Sequence, residues 1–234
     1  MTDPGAKTPG ELVAELRDEG ARRYHDRHPF HLRMHDGSLR AAELRCWVRN
    51  RYYYQTRIPI KDALILAKSE DAAFRRRWRR RLCEQDGDGD DVGGLELWLR
   101  LGEAVGLERR ELRDHRNVLP GVRFACDAYV ESVARFSLVE AVAASLTECF
   151  APDLMSARIQ AWERHYPWVD AGAIAYFRSR VGRARRDSEE ALDFVLTHAT
   201  TREVQARCVA ALVRKTEILW HLLDCVQADC ERTS

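Results

Sequence analysis

The chain has 234 residues, of which 32% are charged and 45% are hydrophobic, and its formal net charge is +1. This length allows a sizeable core, in one domain or in two small ones. The near balance of charge argues against a nucleic-acid-binding domain, which is usually clearly basic.

Seven cysteines occur singly, without a CxxC pair, in segments with a helical pattern. An odd number of scattered thiols suits a reducing compartment better than a disulfide framework. The first ten residues are polar and lack the apolar stretch of a signal peptide. No uncharged run approaches the roughly 18 to 20 apolar residues of a membrane-spanning helix. The sequence therefore predicts a soluble, cytoplasmic protein.

The hydrophobic pattern has helical spacing nearly throughout the chain. Thr8 and Glu11 form a predicted capping box in front of the first helix. Ser38 is a candidate N-cap for a long helix that runs to about Arg57, with Pro59 marking a kink or break. The other predicted helices cover approximately residues 71–85, 94–106, 121–136, 138–150, 153–165, 171–184, 187–198 and 202–229.

Glycine and proline mark the breaks between these segments. They occur in Asp86–Gly94, in Leu119–Gly121, at Pro152 and in His165–Trp168. No alternating strand pattern, internal repeat or linker is evident. We therefore predict a single all-α domain over residues 1–234, with about eight or nine helices and a flexible segment at residues 1–8.

Several cations stand at positions that the helical pattern assigns to the apolar face. Lys215 lies within the apolar series of the last helix, and Arg51 and Gln55 interrupt the apolar face of the long helix. Arginines also stand on or beside the apolar faces of other helices, at Arg81, Arg158 and Arg180, the last of which lies one turn from Tyr176.

A buried cation costs several kcal/mol unless an anion compensates it. Neighbouring helices can supply carboxylates, or the long side chains can extend to water. Alternatively, the cations converge on one pocket for a small ligand with several carboxylates, which the forked arginine side chain matches in geometry.

Four histidines, at positions 25, 28, 31 and 35, are spaced by three and four residues as metal ligands can be. Pro29 interrupts this segment, and no carboxylate or cysteine has a matching ligand spacing. We therefore predict no metal site here. The loop DGDGDD resembles part of a calcium-binding loop, but Leu97 stands where the closing glutamate is required.

The basic run Arg75–Leu82 fits either phosphate contacts or a solvated helix face with Trp78 turned inward, and we favour the second interpretation. The chain has no GxGxxG, Walker, GxSxG or HExxH motif. Nucleotide binding and hydrolase chemistry therefore have no support from motifs.

Longer stretches of the chain resemble the pyrroloquinoline-quinone (PQQ) synthases, the C-protein family of PQQ biosynthesis. The most specific are NRYYYQTRIPIKDA and VLPGVRFACDAYV, accompanied by HPFHLRMHDG, LRLGEAVGL, ASLTECFAP, RHYPWV, YFRSR and KTEILWHLLD. The resemblance runs from about Glu11 to Asp229. It implies a heme-oxygenase-like, TenA-like helical bundle without heme, and a homodimer.

The resemblance also implies a reaction. Members of the family close a ring in the bicyclic AHQQ precursor and then oxidise it by several electron pairs, forming PQQ. Dioxygen is the acceptor, hydrogen peroxide is released, and no metal or organic cofactor takes part. The product is a tricarboxylate, which agrees with a cation-rich pocket.

Carried over residue by residue, the resemblance assigns substrate binding to Arg51, Gln55, Lys61, Arg81, Tyr129, Arg158 and Lys215. It assigns catalytic roles to His25, Gln85, Tyr176 and Arg180, and an oxygen site to Met155, Tyr176 and Arg180. His25 is the candidate proton carrier, because the reference pKa of histidine is near neutrality. Hydrogen-bond donors near the oxygen site can stabilise the negative charge that builds up as oxygen is reduced.

Two positions depart from the family pattern. Gln85 replaces a family histidine, and Met155 replaces a histidine that only some members carry. Glutamine cannot exchange a proton near neutral pH, and loss of an acid or base costs on the order of 100- to 10,000-fold in rate. Gln85 therefore raises the hypothesis of slow turnover, a stalled intermediate or a related substrate.

Two other classes of protein stay open. One is a non-catalytic quinone-binding or carrier protein. The other is a different enzyme on the same scaffold, either a thiaminase-like hydrolase with a nucleophilic cysteine or a di-metal oxidase with several acidic and histidine ligands. Glu148 and the histidine cluster are possible fragments of a metal site, but the set is incomplete.

Overall fold

Helices make up the regular secondary structure of residues 3–232, which are the residues that the computed structural model describes. The α-helices are α1 (Pro9–Arg23), α2 (Pro29–Asp36), α3 (Ala41–Ala67), α4 (Ala72–Asp86), α5 (Gly93–Ala104), α6 (Arg109–Arg113), α7 (Pro120–Arg135), α8 (Leu138–Ala143), α9 (Ala151–His165), α10 (Ala175–His198) and α11 (Arg202–Arg232). Two 3-10 helices cover His25–Arg27 and Ala144–Phe150. Nine of these α-helices, within the described range, have eight residues or more. The predicted all-α fold is confirmed.

The first helix begins as its sequence predicts. The Thr8 hydroxyl accepts a hydrogen bond from the Glu11 backbone N–H, and the Glu11 carboxylate accepts one from the Thr8 backbone N–H at 2.8 Å. This reciprocal pair satisfies two amide groups that the start of a helix leaves unpaired. The predicted capping box is therefore confirmed.

The long helix α3 differs from its prediction at both ends. Ser38 is not its N-cap, because the helix begins at Ala41 and the Glu43 carboxylate accepts from the Arg40 backbone N–H at 2.8 Å. Ser38 instead closes the turn after α2, where its backbone N–H donates to the Asp36 carboxylate. The helix also does not stop near Arg57, but continues through Pro59.

Packing explains why α3 continues through its proline. Pro59 is buried, and α3 packs against α4, α5, α7 and α11 along its length. Proline removes one backbone N–H, so the carbonyl four residues earlier, that of Gln55, loses its helical donor. That carbonyl faces the functional site described below.

Two other boundaries were predicted incorrectly. The predicted helices 171–184 and 187–198 form one continuous helix, α10, because no glycine or proline that breaks the helix separates them. The predicted helix 138–150 divides into α8 and the 3-10 helix Ala144–Phe150. Short helices such as α2 and α6 were not predicted, since one or two turns give little periodicity.

A cluster of large aromatic side chains forms the centre of the core. Trp47 of α3 lies 5.5 Å from Trp98 of α5 and 6.1 Å from Trp162 of α9, measured between ring centroids. Phe177 of α10 packs against Trp98 and Trp162. Burial of four large rings is a major contribution to stability and joins four helices at one point.

The N-terminal segment contacts the last helix. The Asp3 carboxylate accepts from the Arg202 backbone N–H at 2.9 Å, and the Lys7 backbone N–H donates to Gln205 at 2.8 Å. The flexibility predicted for residues 1–8 stays a prediction, and residues 1–2 lie outside the described range. Within that range, no helix combines the length and the apolar character required to cross a bilayer.

The loop between α4 and α5 folds back on itself through glycine. Gly93 has φ of +77°, and a Cβ there would lie 2.4 Å from the backbone nitrogen of Gly87. Both the left-handed backbone and the close approach exclude a side chain. This close approach of Gly93 to Gly87 brings the start of α5 against the end of α4, next to Gln85.

We predict that Gly93→Ala lowers the free energy of unfolding by about 2 to 4 kcal/mol, from backbone strain and steric overlap together. The control is Gly89→Asn in the same loop, where φ is +58° and a Cβ would have no atom within 4 Å. Asparagine tolerates this conformation, so the control should lose about 1 kcal/mol or less. Urea denaturation measures both; equal stability of the two variants would contradict the account.

Candidate functional site

A cavity of about 80 Å³ lies at the centre of the bundle, next to the aromatic cluster. Its walls come from the end of α1, the 3-10 helix His25–Arg27, α3, α4, α5, α9, α10, α11 and the 3-10 helix Ala144–Phe150. Side chains from distant parts of the chain therefore converge on one space.

Most of the site residues expected from the sequence line this cavity. Nine of them are in its wall: His25, Arg51, Gln55, Arg81, Gln85, Met155, Arg158, Tyr176 and Arg180. The other three, Lys61, Tyr129 and Lys215, are buried directly behind it. Lys215 donates to the hydroxyl of Tyr54, a wall residue, and Lys61 lies 2.7 Å from the carboxylate of Asp62, also in the wall. Their roles stay predictions.

Three of the cations have carboxylate partners. Lys61 pairs with Asp62, and Arg81 pairs with Glu148 at 2.6 Å. Arg180 lies 3.5 to 3.9 Å from the carboxylates of Glu84, Glu148 and Asp187. Within these pairs the protein compensates its own charge, as the first of the alternatives from the sequence predicts.

These pairs also shift pKa values. Burial opposes the positive charge of Arg81, but Glu148 and Asp187 raise its pKa above the usual range. Burial opposes ionisation of Glu148, but Arg81 and Arg180 hold its pKa below the usual range. This cluster therefore stays ionised on both sides, and its charges largely cancel.

The other three cations, Arg51, Arg158 and Lys215, have no carboxylate within 4 Å among residues 3–232. Their partners are neutral. Arg158 donates to His31 Nε2 at 3.1 Å and lies over the rings of Trp47 and Phe177. The protein interior therefore holds positive charge that it does not compensate.

Tyrosine side chains contact the other two cations, Lys215 and Arg51. The Lys215 ammonium donates to the Tyr54 hydroxyl at 2.8 Å and lies 3.2 Å from the centroid of the Tyr129 ring. The Arg51 guanidinium lies over the Tyr54 ring at 4.1 Å. Cation–π contacts stabilise a desolvated cation without neutralising its charge.

The lowered pKa values of Arg158 and Lys215 show that the protein disfavours their protonated forms. Burial, followed by the charge of Arg51, lowers the pKa of Arg158 to about 9. Burial and the charges of Arg51 and Lys61 lower the pKa of Lys215 well below its usual range. Both shifts would be relieved by an anion in the cavity.

His25 is buried in the wall and its Nδ1 has no hydrogen-bond partner among the described residues. Its ring lies 4.4 Å from the ring of Tyr24 and 5.0 Å from that of His31. Burial, together with Arg51 and Arg158, lowers the pKa of His25 well below its usual range. His25 is therefore neutral and can accept a proton only when a nearby negative charge stabilises it.

Gln85 lies where α4, α3 and α10 meet. Its amide N–H donates to the Gln55 backbone carbonyl at 3.3 Å and to Gln55 Oε1 at 3.1 Å. The Tyr176 hydroxyl donates to the same Oε1 at 2.9 Å. The backbone carbonyl is the one that Pro59 deprives of its helical donor, so Gln85 supplies the missing hydrogen bond.

This network connects the predicted oxygen site, through Tyr176, to the substrate wall at Gln55. A Cβ at Gly94 would lie 2.6 Å from Gln85 Oε1, so a side chain at this position would displace the Gln85 amide from the network. Met155 contacts the Arg158 guanidinium through its sulfur at 4.0 Å. Neither Gln85 nor Met155 has a proton to exchange near neutral pH.

Sequence reasoning missed several wall residues, namely Tyr24, Tyr54, Ile58, Asp62, Trp98, Thr147, Ala151, Asp187 and Leu219. Most of these are apolar or aromatic and match the core pattern, so no signal separated them from ordinary core. Asp62 and Asp187 are buried acidic residues at helical core spacing, and the argument used for the cations would have found them.

The histidine cluster has other contacts in the structure. His28 caps α2, because its Nδ1 accepts from the Phe30 backbone N–H, and its Nε2 bonds to the Asp224 carboxylate. His31 bonds to Arg158. Across residues 3–232 no three histidine, cysteine or acidic side chains are grouped as a metal ion requires.

In the basic run Arg75–Leu82, Trp78 is buried and Arg76, Arg77 and Arg79 are exposed, as predicted.

The fold is heme-oxygenase-like. A domain of unknown function with this fold from Shewanella denitrificans OS217 superposes with a TM-score of 0.78, covering 97% of this chain and 95% of that one at 14% identity. A TenA homologue from Pseudomonas syringae pv. tomato DC3000 gives a TM-score of 0.75 over 94% and 92% at 15% identity.

More specifically, the chain belongs to the TENA/THI-4/PQQC family, whose family model matches residues 13–225. A pyrroloquinoline-quinone synthase of Pseudomonas entomophila L48 is 49% identical over 224 residues, 96% of this chain and 89% of that protein. A pyrroloquinoline-quinone synthase of Pseudomonas aeruginosa LESB58 is 49% identical over 214 residues, 92% and 85% of the two chains. The resemblance found in the sequence is confirmed.

We predict that stability falls as the pH drops below about 6.5. His25 and His31 are buried with lowered pKa values, so the unfolded chain binds their protons first and folding loses free energy from the unfolded pKa downward. The loss is at most about 1.4 kcal/mol per pH unit for each histidine. Carboxylates with lowered pKa values, such as Glu148, act only below about pH 4.5.

Urea denaturation between pH 7.5 and 5 measures this slope. His25→Gln should reduce this slope by about a quarter to a third, because His31, His35 and His115 also have lowered pKa values. Replacement of the exposed His198 by glutamine should leave the slope as in the parent chain. A stability that is independent of pH in this interval would contradict the burial of two neutral histidines.

Proposed function

We propose that this chain catalyses the last step of PQQ biosynthesis: ring closure of the AHQQ precursor and its oxidation to PQQ, with dioxygen as the acceptor. Each pair of electrons removed from the substrate, with two protons, converts one O₂ into one H₂O₂. We further propose that no metal or organic cofactor is needed, as the family resemblance implies.

The observation that carries this proposal is the set of uncompensated cations, Arg51, Arg158 and Lys215, around one buried cavity. Three basic side chains without carboxylate partners, two of them buried, suit a ligand that brings its own carboxylates. PQQ and its precursor are such ligands. Flat aromatic walls, including Tyr54 and Trp98, suit a planar fused-ring system.

Chemistry at the site follows from the same charges. Oxidation begins with proton removal from the substrate, and His25 is the neutral base in the wall. Transfer of electrons to dioxygen then builds negative charge, and the family resemblance assigns its stabilisation to two wall residues, Tyr176 and Arg180. The wall carboxylates Asp62, Glu148 and Asp187 are engaged by cations rather than grouped as ligands.

A second candidate function is a PQQ-binding or carrier protein with slow turnover. Gln85 favours it, because an amide stands where the family has a histidine and forms hydrogen bonds within the protein. The cavity wall also contains His25, Tyr176 and Arg180, to which the resemblance assigns catalytic roles, and their presence argues against a carrier.

The other enzymes of this scaffold have less support. A thiaminase-like hydrolase requires a nucleophilic cysteine in the pocket, and none of the seven cysteines, all of them within the described residues, lines the cavity. Burial raises the pKa of Cys126 to about 12, which makes this thiol a poor nucleophile. Glu148, considered above for a di-metal oxidase, is paired with Arg81.

We also propose a homodimer and a cytoplasmic location. The homodimer rests on the family resemblance, since a single exposed ring such as that of Phe124, 78% exposed on α7, is also normal on a monomer. All seven cysteines are free thiols, which suits a reducing compartment.

Turnover of the precursor tests the function. We expect that AHQQ, bound without oxygen and then exposed to air, gives PQQ and H₂O₂ over many equivalents of substrate. Gln85→His should raise the rate by about 10-fold or more, since it restores a group that can exchange protons. The control, Gln160→His, places the same ring on an exposed position of α9 and should leave the rate unchanged.

Absorbance of the quinone and a peroxide assay follow the reaction. PQQ or AHQQ binding without oxygen consumption, in the parent chain and in Gln85→His alike, would contradict the synthase and establish a carrier. A rate unaffected by Gln85→His would show that no proton passes through position 85.

A further inference from the structure

His31 is buried outside the cavity wall and joins two segments of the site. Its ring Nδ1 bonds to the His25 backbone carbonyl at 2.9 Å, and its Nε2 bonds to the Arg158 guanidinium at 3.1 Å. One imidazole therefore connects the segment that carries His25 to one of the uncompensated cations.

These two partners determine the protonation of the ring. A carbonyl oxygen only accepts hydrogen bonds, so Nδ1 carries the hydrogen; a guanidinium only donates, so Nε2 carries a lone pair. His31 is thus a neutral imidazole with one defined tautomer, and burial beside Arg158 keeps its pKa well below the usual range.

A neutral acceptor has a different effect on an arginine from a carboxylate. Glu148 orients Arg81 but also cancels its charge, so Arg81 has little attraction left for an anionic ligand. His31 provides a hydrogen bond of defined direction without a negative charge. Arg158 keeps its full positive charge.

The rest of the Arg158 environment is equally free of negative charge. Trp47 and Phe177 lie 5.0 and 5.4 Å from the guanidinium carbon, measured to the ring centroids. Met155 offers only a sulfur at 4.0 Å, and Arg158 Nε has no partner among the described residues. His31 Nε2 is therefore the strong acceptor that the described residues give this guanidinium.

We propose that His31 is a positioning residue, which orients the Arg158 guanidinium toward a ligand carboxylate while leaving its charge uncompensated. This inference rests on the proposed function, since it takes the ligand to be PQQ or its precursor. It also gives the histidine pattern of α2 a role other than metal binding.

The test is binding of PQQ, followed by absorbance or fluorescence titration. His31→Phe keeps a planar ring but has no acceptor, and we expect it to weaken binding by about 10- to 100-fold, the value of a hydrogen bond to a charged group. His31→Gln offers both an N–H for the His25 carbonyl and an oxygen for Arg158, and should bind within about threefold of the parent chain.

A double-mutant cycle separates positioning from packing. If His31 acts through Arg158, His31→Phe should have no further effect in an Arg158→Gln background. His35→Phe is the matched control, one turn along α2 and stacked on His31 but without a hydrogen bond to Arg158 in the described structure, and should bind PQQ as the parent chain does. Thermal unfolding checks each variant, and His31→Met replaces His31→Phe if the latter does not fold.

The outcomes distinguish the two proposals. If the parent chain does not bind PQQ, the proposed function is wrong and this inference fails with it. If the parent chain binds PQQ but His31→Phe binds equally well, or its loss is additive with that of Arg158→Gln, the positioning role is wrong and the proposed function stands.

Discussion

The site depends on one electrostatic constraint: three basic side chains, two of them buried, surround a central cavity without a carboxylate beside them in the described part of the chain. Burial of such charges is expensive, and the protein reduces the cost with neutral partners. Aromatic faces hold Arg51 and Lys215, and an imidazole holds Arg158. An anionic ligand offsets the unfavourable free energy that remains, and this gain contributes to the affinity for the ligand.

The fold supplies the contacts that stabilise these basic side chains around the cavity. The aromatic cluster around Trp47 is the structural core and also supplies the ring surface over which Arg158 lies. Pro59 leaves the Gln55 carbonyl without a donor, and Gln85 and Tyr176 bind to that same residue. A buried proline and buried cations would destabilise an ordinary helical bundle. In this protein, these same features shape the cavity.

Much of the site could be predicted from the sequence because its residues break a local rule. Lys215 and Arg158 stand on apolar helix faces, and the family pattern assigned them to the substrate. Their partners could not be predicted, since His31 lies 127 positions from Arg158 and Glu148 lies 67 from Arg81. The fold was predictable from periodicity, except where tertiary packing carries α3 past Pro59 and where Glu43 caps it in place of Ser38.

Proton uptake on PQQ binding tests the central claim most directly. Isothermal titration calorimetry at pH 8 in buffers of different ionisation enthalpy gives the number of protons taken up. Burial beside Arg51 lowers the pKa of Lys215, and a bound carboxylate raises it again, so the account predicts net uptake that decreases in Lys215→Met. Failure to bind PQQ, or binding with no proton uptake at any pH from 6 to 9, would contradict the account, in which a bound carboxylate stabilises the protonated form of Lys215.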